Sequence, residues 1–189
     1  MSLWGASDTD ESKPKNLTTA EKKEVFASAK GWVREAGSIL SGNDNTSATP
    51  EVLVALRGLA VKVGAADITE IEFITTAFDK SDGGTLQVRV RFNEAVDVTG
   101  TPQLTVVNDS RANHTLSYAS GSTTNELVFS LTIGAANAAT NAGDVLSIGT
   151  NAMALNGGTI KDTGQSGTNA TITNAASIGT AAGTITVTA

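Results

Sequence analysis

Cysteine is absent from the 189-residue chain, which excludes disulfides, thiolate nucleophiles and thiolate metal sites. One histidine, His114, rules out a multi-histidine metal cluster. Charged residues make up 17%, below the roughly 25% of ordinary soluble domains, and aromatics only 4%. No apolar run approaches the roughly 20 residues that a spanning helix needs. The opening MSLWGASDTDES lacks a basic region followed by an apolar one, so no secretory signal is expected. What fills the space is small and polar: 43 of the 189 residues are Ser or Thr, beside 19 Gly. That is the composition of a β-rich extracellular or virion-type module, and no cofactor is expected in it.

The charge becomes informative once it is split. Residues 1–63 carry eight basic and eight acidic side chains, whereas residues 64–189 carry five and eleven, so the net charge of −6 sits in the second part. A domain without clustered Lys or Arg is a poor match for phosphate backbones, and no nucleic-acid partner is expected. Nor is a membrane partner.

Two organisational units follow, 1–66 and 67–189. In the first, Thr18 and Glu21 fit the S/T-x-x-E capping box, and Val25, Phe26, Ala29, Trp32, Val33 and Ala36 recur at helical spacing. These predict an amphipathic helix over 19–36, stopped by Gly37. Residues 38–50 have loop composition. The stretch 51–64 is ambiguous: Thr49 and Pro50 suit a helix start, but the run Val52 to Leu56 suits a buried strand equally well.

From residue 67 the period becomes two. Leu86, Val88, Val90 and Phe92 alternate with Gln87, Arg89 and Arg91, and Leu127, Phe129, Leu131 and Ile133 form a second apolar row. Ile71 and Phe73 oppose Glu70 and Glu72, which read as a solvated face. Shorter strands are expected at 103–107, 114–118, 144–148, 170–173 and 184–188. Turn signals separate them at 81–84, 99–102, 120–125 and 156–158. About eight alternating strands predict a mainly β fold, an Ig-like antiparallel β-sandwich, preceded by the small N-terminal arm and amphipathic helix.

Chemistry is sparse. His114 opens a predicted strand, and no G-x-S-x-G elbow or phosphate loop accompanies it. Glu94, Asp97, Asp144 and Asp162 lie near turns and are the candidates for a calcium site, but no D-x-D-x-D-G loop is present and the turn-forming reading is preferred. Five N-x-[ST] sequons, at Asn16, Asn45, Asn108, Asn113 and Asn169, do not exceed what composition alone gives. No catalytic, cofactor-binding or metal-binding residue is therefore expected, and neither is an enzyme. Trp4, Phe26 and Trp32 are the candidate partner-anchoring residues, because large aromatics carry most of the energy at protein contacts.

Phe92, Glu94, Val96, then Val98-Thr99-Gly100-Thr101-Pro102 with Leu104, then Tyr118, Ser120, Gly121, Leu127 and Phe129, then Gly143-Asp144, then Gly157-Gly158-Thr159-Ile160 with Asp162, occur in one order. In that order they resemble the bacterial Ig-like repeats of large surface adhesins and of the cyanobacterial swimming-type cell-surface proteins. The likeness covers about residues 70–165 and implies fold and surface display rather than an activity. Those adhesins are tandem arrays, whereas one copy stands here. The opening MSLWGASDTDESKPKNLT is similar to the start of small virion structural proteins of marine cyanobacterial phages. Together the two resemblances imply a phage capsid decoration protein on the particle surface. Its partner would be the major capsid protein or another lattice protein, with homo-oligomers compatible. The alternative is a tail-, fibre- or bacterial-surface adhesion module that binds host-surface glycans.

Overall fold

A computed structural model describes residues 13–14, 16–38, 40, 42, 44–135, 137–165 and 167–189. The N-terminal unit holds α1 (Thr19–Lys23), β1 (Val25–Ser28), β2 (Gly31–Arg34), β3 (Glu51–Ala55) and α2 (Leu59–Lys62). The second unit holds β4 (Ile68–Phe73), β5 (Phe78–Asp79), β6 (Gly84–Thr99), β7 (Gln103–Asn108), β8 (His114–Ser120), β9 (Thr124–Ile133), β10 (Val145–Ala154), β11 (Thr159–Asp162), α3 (Ala176–Ala181) and β12 (Thr184–Thr188).

The long helix expected over 19–36 is not there. The capping box forms as predicted, with Glu21 N–H donating to Thr18 Oγ1 at 3.2 Å and Thr18 N–H donating to Glu21 Oε2 at 2.8 Å. The helix nevertheless ends at Lys23, and the chain turns into the antiparallel hairpin β1–β2, with Phe26 opposite Val33 and Ala27 opposite Trp32. The reason is double-sided burial. Val25, Phe26, Ala27, Trp32, Val33 and Arg34 are all buried, so the apolar residues mark two faces of a ribbon and mimic one face of a helix. Gly31 then fixes the choice. Its φ is +130°, and a Cβ there would sit 2.0 Å from the Val54 carbonyl oxygen, so only glycine lets β3 approach this closely. The ambiguous stretch 51–64 resolves into both of its alternatives, strand β3 followed by the short α2.

The second unit is mainly β. Its strands belong to an open mixed sheet of order β3-β2-β1-β6-β9-β8-β7-β10-β12-β5, with β4 and β11 pairing on β6. Pairing is antiparallel except for β1 on β6 and β12 on β5. The sheet folds over itself as a β-sandwich. Leu86, Val88, Val90 and Phe92 of β6, Leu127, Phe129 and Ile133 of β9, Leu104 and Val106 of β7, Leu146 and Ile148 of β10, and Ile185 and Val187 of β12 share one buried core. Leu131, expected in the inner row, packs on that core partly buried.

The strand expected at 170–173 does not form. Thr171 and Asn169 make isolated bridges to Asp67 and Lys161, and no continuous ladder results. The two-residue β5, the edge strand β11 and helix α3 carry no alternation long enough to be read in sequence. In α3, Gly179 lies against β10, and a Cβ there would meet the Ile148 carbonyl oxygen at 2.4 Å.

Candidate functional site

The residues proposed from sequence as anchors separate in the structure. Trp4 lies outside the described residues. Trp32 is 2% exposed and packs with Val25, Ala27 and Leu59 in a small second core. Phe26 is 7% exposed. It forms the wall shared by two shallow grooves of about 400 Å³ and 290 Å³, bounded by Pro50 and the Thr123 turn. Both rings therefore spend their apolar area inside this chain, organising the unit rather than projecting from it.

Projection falls to other side chains. Among the described residues, Leu40 (51% exposed), Val52 (43%) and Val61 (59%) are the large apolar side chains exposed on the N-terminal unit; the sandwich contributes Leu155 alone, at 36%. Val52 sits on β3, which ends the sheet order, so its outer backbone edge has no strand partner among the described residues. Edge strands with exposed apolar side chains invite pairing with another chain. Sequence reading missed this edge because the run Val52 to Leu56 looked like an interior strand.

The N-terminal unit is held to the sandwich at two places. At the first, β1 pairs with β6 at Ala27–Glu94, and Glu35 and Lys23 of the N-terminal unit reach Arg91 and Glu70 on the face of β4 and β6 where sequence alternation had put the solvated residues. Arg91 there is buried instead of exposed. Its guanidinium donates from Nε to Glu126 (2.6 Å), from Nη1 to Glu70 (3.0 Å) and Glu72 (2.9 Å), and from Nη2 to Glu35 (3.3 Å). Arg89 pairs with Glu72 and Glu126, and Lys23 with Glu70. Burial alone would disfavour the Arg91 charge, but Glu126, Glu35 and Glu72 more than compensate and raise its pKa. Glu70 and Glu72, expected to face solvent, thus join an ion cluster whose side chains are 12% and 33% exposed.

At the second place, the turn after β11 clasps α2. Gln165 Nε2 donates to the carbonyls of Val61 (3.1 Å) and Gly64 (3.0 Å), and Asp162 Oδ1 accepts from the Gly164 and Gln165 amides. Glu94 and Asp162 are each 1% exposed, and a Cβ on Gly164 would lie 2.9 Å from Glu94 Oε2 and 3.1 Å from Asp162 Oδ1. Two calcium candidates therefore converge, while Asp97 is exposed and Asp144 sits in a separate loop network. There Asp144 Oδ2 accepts from Asn108 Nδ2 (2.9 Å) and the Asn141 amide (2.9 Å). Among the described residues no group of three His, Asp or Glu side chains could hold a metal ion.

His114 is buried at the start of β8, with Nε2 3.1 Å from Thr140 Oγ1. Burial lowers its pKa, against the opposing charge of Asp144. Its recorded partner is a threonine hydroxyl, and what this pair does is tie a loop to the sandwich. The motif glycines also have local work. Gly100 (φ +77°) and Gly158 meet so closely that a Cβ on Gly100 would lie 2.9 Å from Gly158 Cα, which packs the TGTP turn on the NGG turn.

No family model, characterised protein or solved structure matches the chain significantly.

Proposed function

We propose that this chain is a virion structural protein, a capsid decoration protein whose N-terminal region attaches to the major capsid protein or a comparable lattice protein while an Ig-like domain faces solvent. The observation that carries the reading is the distribution of exposed apolar surface. Leu40, Val52 and Val61 all belong to the N-terminal unit, Val52 on its open strand edge, whereas the sandwich shows only Leu155 among the described residues. Apolar side chains of this size are what a protein partner buries, each worth about 1.5–3 kcal/mol when fully covered. The formal charge of −6, carried by residues 64–189, would keep decorated particles apart by mutual repulsion. The opening sequence with Trp4 precedes the attachment unit in the chain. The two cross-links between the units, at Arg91 and at Gln165, would pass load from the lattice into the sandwich without a loose hinge.

Rebinding to particles stripped of this protein tests the reading. Val52→Asp with Val61→Asp should abolish rebinding, whereas Leu155→Asp should rebind like the parent chain. Undiminished rebinding of the double variant, or its loss in Leu155→Asp alone, would place attachment elsewhere. Retention on host-surface glycans instead of on particles would move the chain to the adhesion class.

A further inference from the structure

Two stretches of the N-terminal unit, residues 25–34 and 52–66, carry Lys30, Arg34, Arg57 and Lys62 and contain no Asp or Glu, in a chain whose net charge is −6. The backbone brings three of these cations to one end. Leu56 N–H donates to the Lys30 carbonyl at 3.0 Å and Gly58 N–H to the Ala29 carbonyl at 2.9 Å. Arg57, between the two donors, therefore sits at the β1–β2 turn beside Lys30. Helix α2 starts two residues later; it turns Leu59 and Ala60 inward and leaves Val61, 59% exposed, and Lys62 outward. Gln165 pins this arrangement through the Val61 and Gly64 carbonyls.

Ion pairing sets this end apart. Arg34 meets Glu21 and Glu51, Arg89 meets Glu72 and Glu126, Arg91 meets Glu35, Glu70, Glu72 and Glu126, and Arg111 meets Asp144. Among the described residues Arg57 is the one arginine without a carboxylate partner, and Lys30 and Lys62, exposed like Arg57, have none either. We infer that Lys30, Arg57 and Lys62, together with Val61, form a docking surface for an acidic protein, in which Arg57 takes a carboxylate of the partner. The inference rests on attachment through the N-terminal unit and adds the chemistry of what that unit attaches to.

Charge complementarity chooses the occupant. Three like charges gathered without counter-charges repel one another in the free chain, and a carboxylate-bearing partner relieves that repulsion where a neutral one does not. A guanidinium also presents a planar fork that fits a carboxylate through two parallel hydrogen bonds. Protein interfaces place apolar groups and arginine at their centre and lysine on the rim, and Val61, Arg57, Lys30 and Lys62 supply that set. A nucleic-acid backbone fits less well, because tight polyanion binding neutralises about 6–10 phosphates, and three cations fall short of that. The surface is also polar along β3: Glu51, 64% exposed, opens the strand, and Arg57 follows its end. The partner's carboxylates therefore belong at the α2 end and not along the whole edge.

Association kinetics of the full chain with particles stripped of this protein test the inference. Raising salt from about 0.05 M to about 0.5 M should slow association about tenfold. Arg57→Glu should weaken binding about tenfold at low salt, and the triple variant with Lys30→Glu and Lys62→Glu should weaken it further and lose the salt dependence. Lys161→Glu, the same charge change on the sandwich, should bind like the parent chain. All three side chains of the docking surface are exposed, so the variants should melt with the parent. If the triple variant binds like the parent while Val52→Asp with Val61→Asp does not bind, attachment stands and the acidic partner is overturned. If both bind like the parent, attachment through this unit falls as well. Tighter binding to a short duplex DNA than to the particles, or a change in the sedimentation of the free chain on Arg57→Glu, would give the surface to nucleic acid or to a second copy and overturn the proposal.

Discussion

Replacing Arg91 by Met tests whether the ion cluster joins the two units or merely decorates their seam. Met is close in volume and keeps the aliphatic contacts, so the perturbation is electrical. It strands Glu35, Glu70, Glu72 and Glu126 with Arg89, Lys23 and the nearby Lys13 to answer them, and three of the four lose a hydrogen bond of 3.0 Å or less. The Arg91 side chain is 7% exposed, so water restores little. Removing one partner of a buried ion pair generally costs about 3–5 kcal/mol, most of it the penalty of the charges left behind. With a urea dependence of about 2 kcal/mol per molar, the unfolding midpoint should fall by about 2 M. Adding Glu35→Gln and Glu126→Gln to the same variant removes two of the stranded charges and should recover at least half of the loss. A cost below about 1 kcal/mol, the range of exposed pairs, or no recovery in the triple variant, would show that the cluster is solvated and that the hairpin is held by packing alone.

Other outcomes follow from the core and the loops. Phe129→Ala removes a fully buried ring that meets Tyr118 edge-on at 6.2 Å and should cost about 3–5 kcal/mol in the same assay. Gly164→Ala places a methyl 2.7 Å from Ala60 Cβ, so it should push α2 off its clasp and lower stability by about 1–3 kcal/mol, seen as faster exchange in α2. The lowered pKa of His114 should make its contribution to stability full above about 6.5 and diminishing as pH falls below it, a slope that His114→Gln should remove from acid-unfolding curves. Adding EDTA should leave the melting temperature unchanged; a large drop would restore Glu94 and Asp162 as ligands.

The sandwich was largely legible in the chain itself, because strands wetted on one face write their burial as alternation. Leu86 to Phe92 and Leu127 to Ile133 take their faces from a period of two, and the Gly, Asn and Thr turns mark where the ribbon reverses. Thr18 and Glu21 were equally local, since a capping box involves only residues three apart. What sequence could not show is what covers a face from outside. The outer row of β6 reads as Gln87, Arg89, Arg91, a solvated pattern, yet Arg91 is buried in an ion cluster that Glu35 and Lys23 join from the N-terminal unit. The hairpin itself was misread for the converse reason. Val25, Phe26, Trp32 and Val33 are buried on both sides of a ribbon, and two-sided burial erases the period that separates strand from helix. Tertiary packing decided that Trp32 and Phe26 would be interior, that Val52 and Val61 would be the exposed apolar groups, and that Glu94 and Asp162, 68 positions apart in number, would meet at Gly164. Local pattern determines which backbone a segment prefers; which of its faces meets water depends on what arrives from elsewhere in the chain.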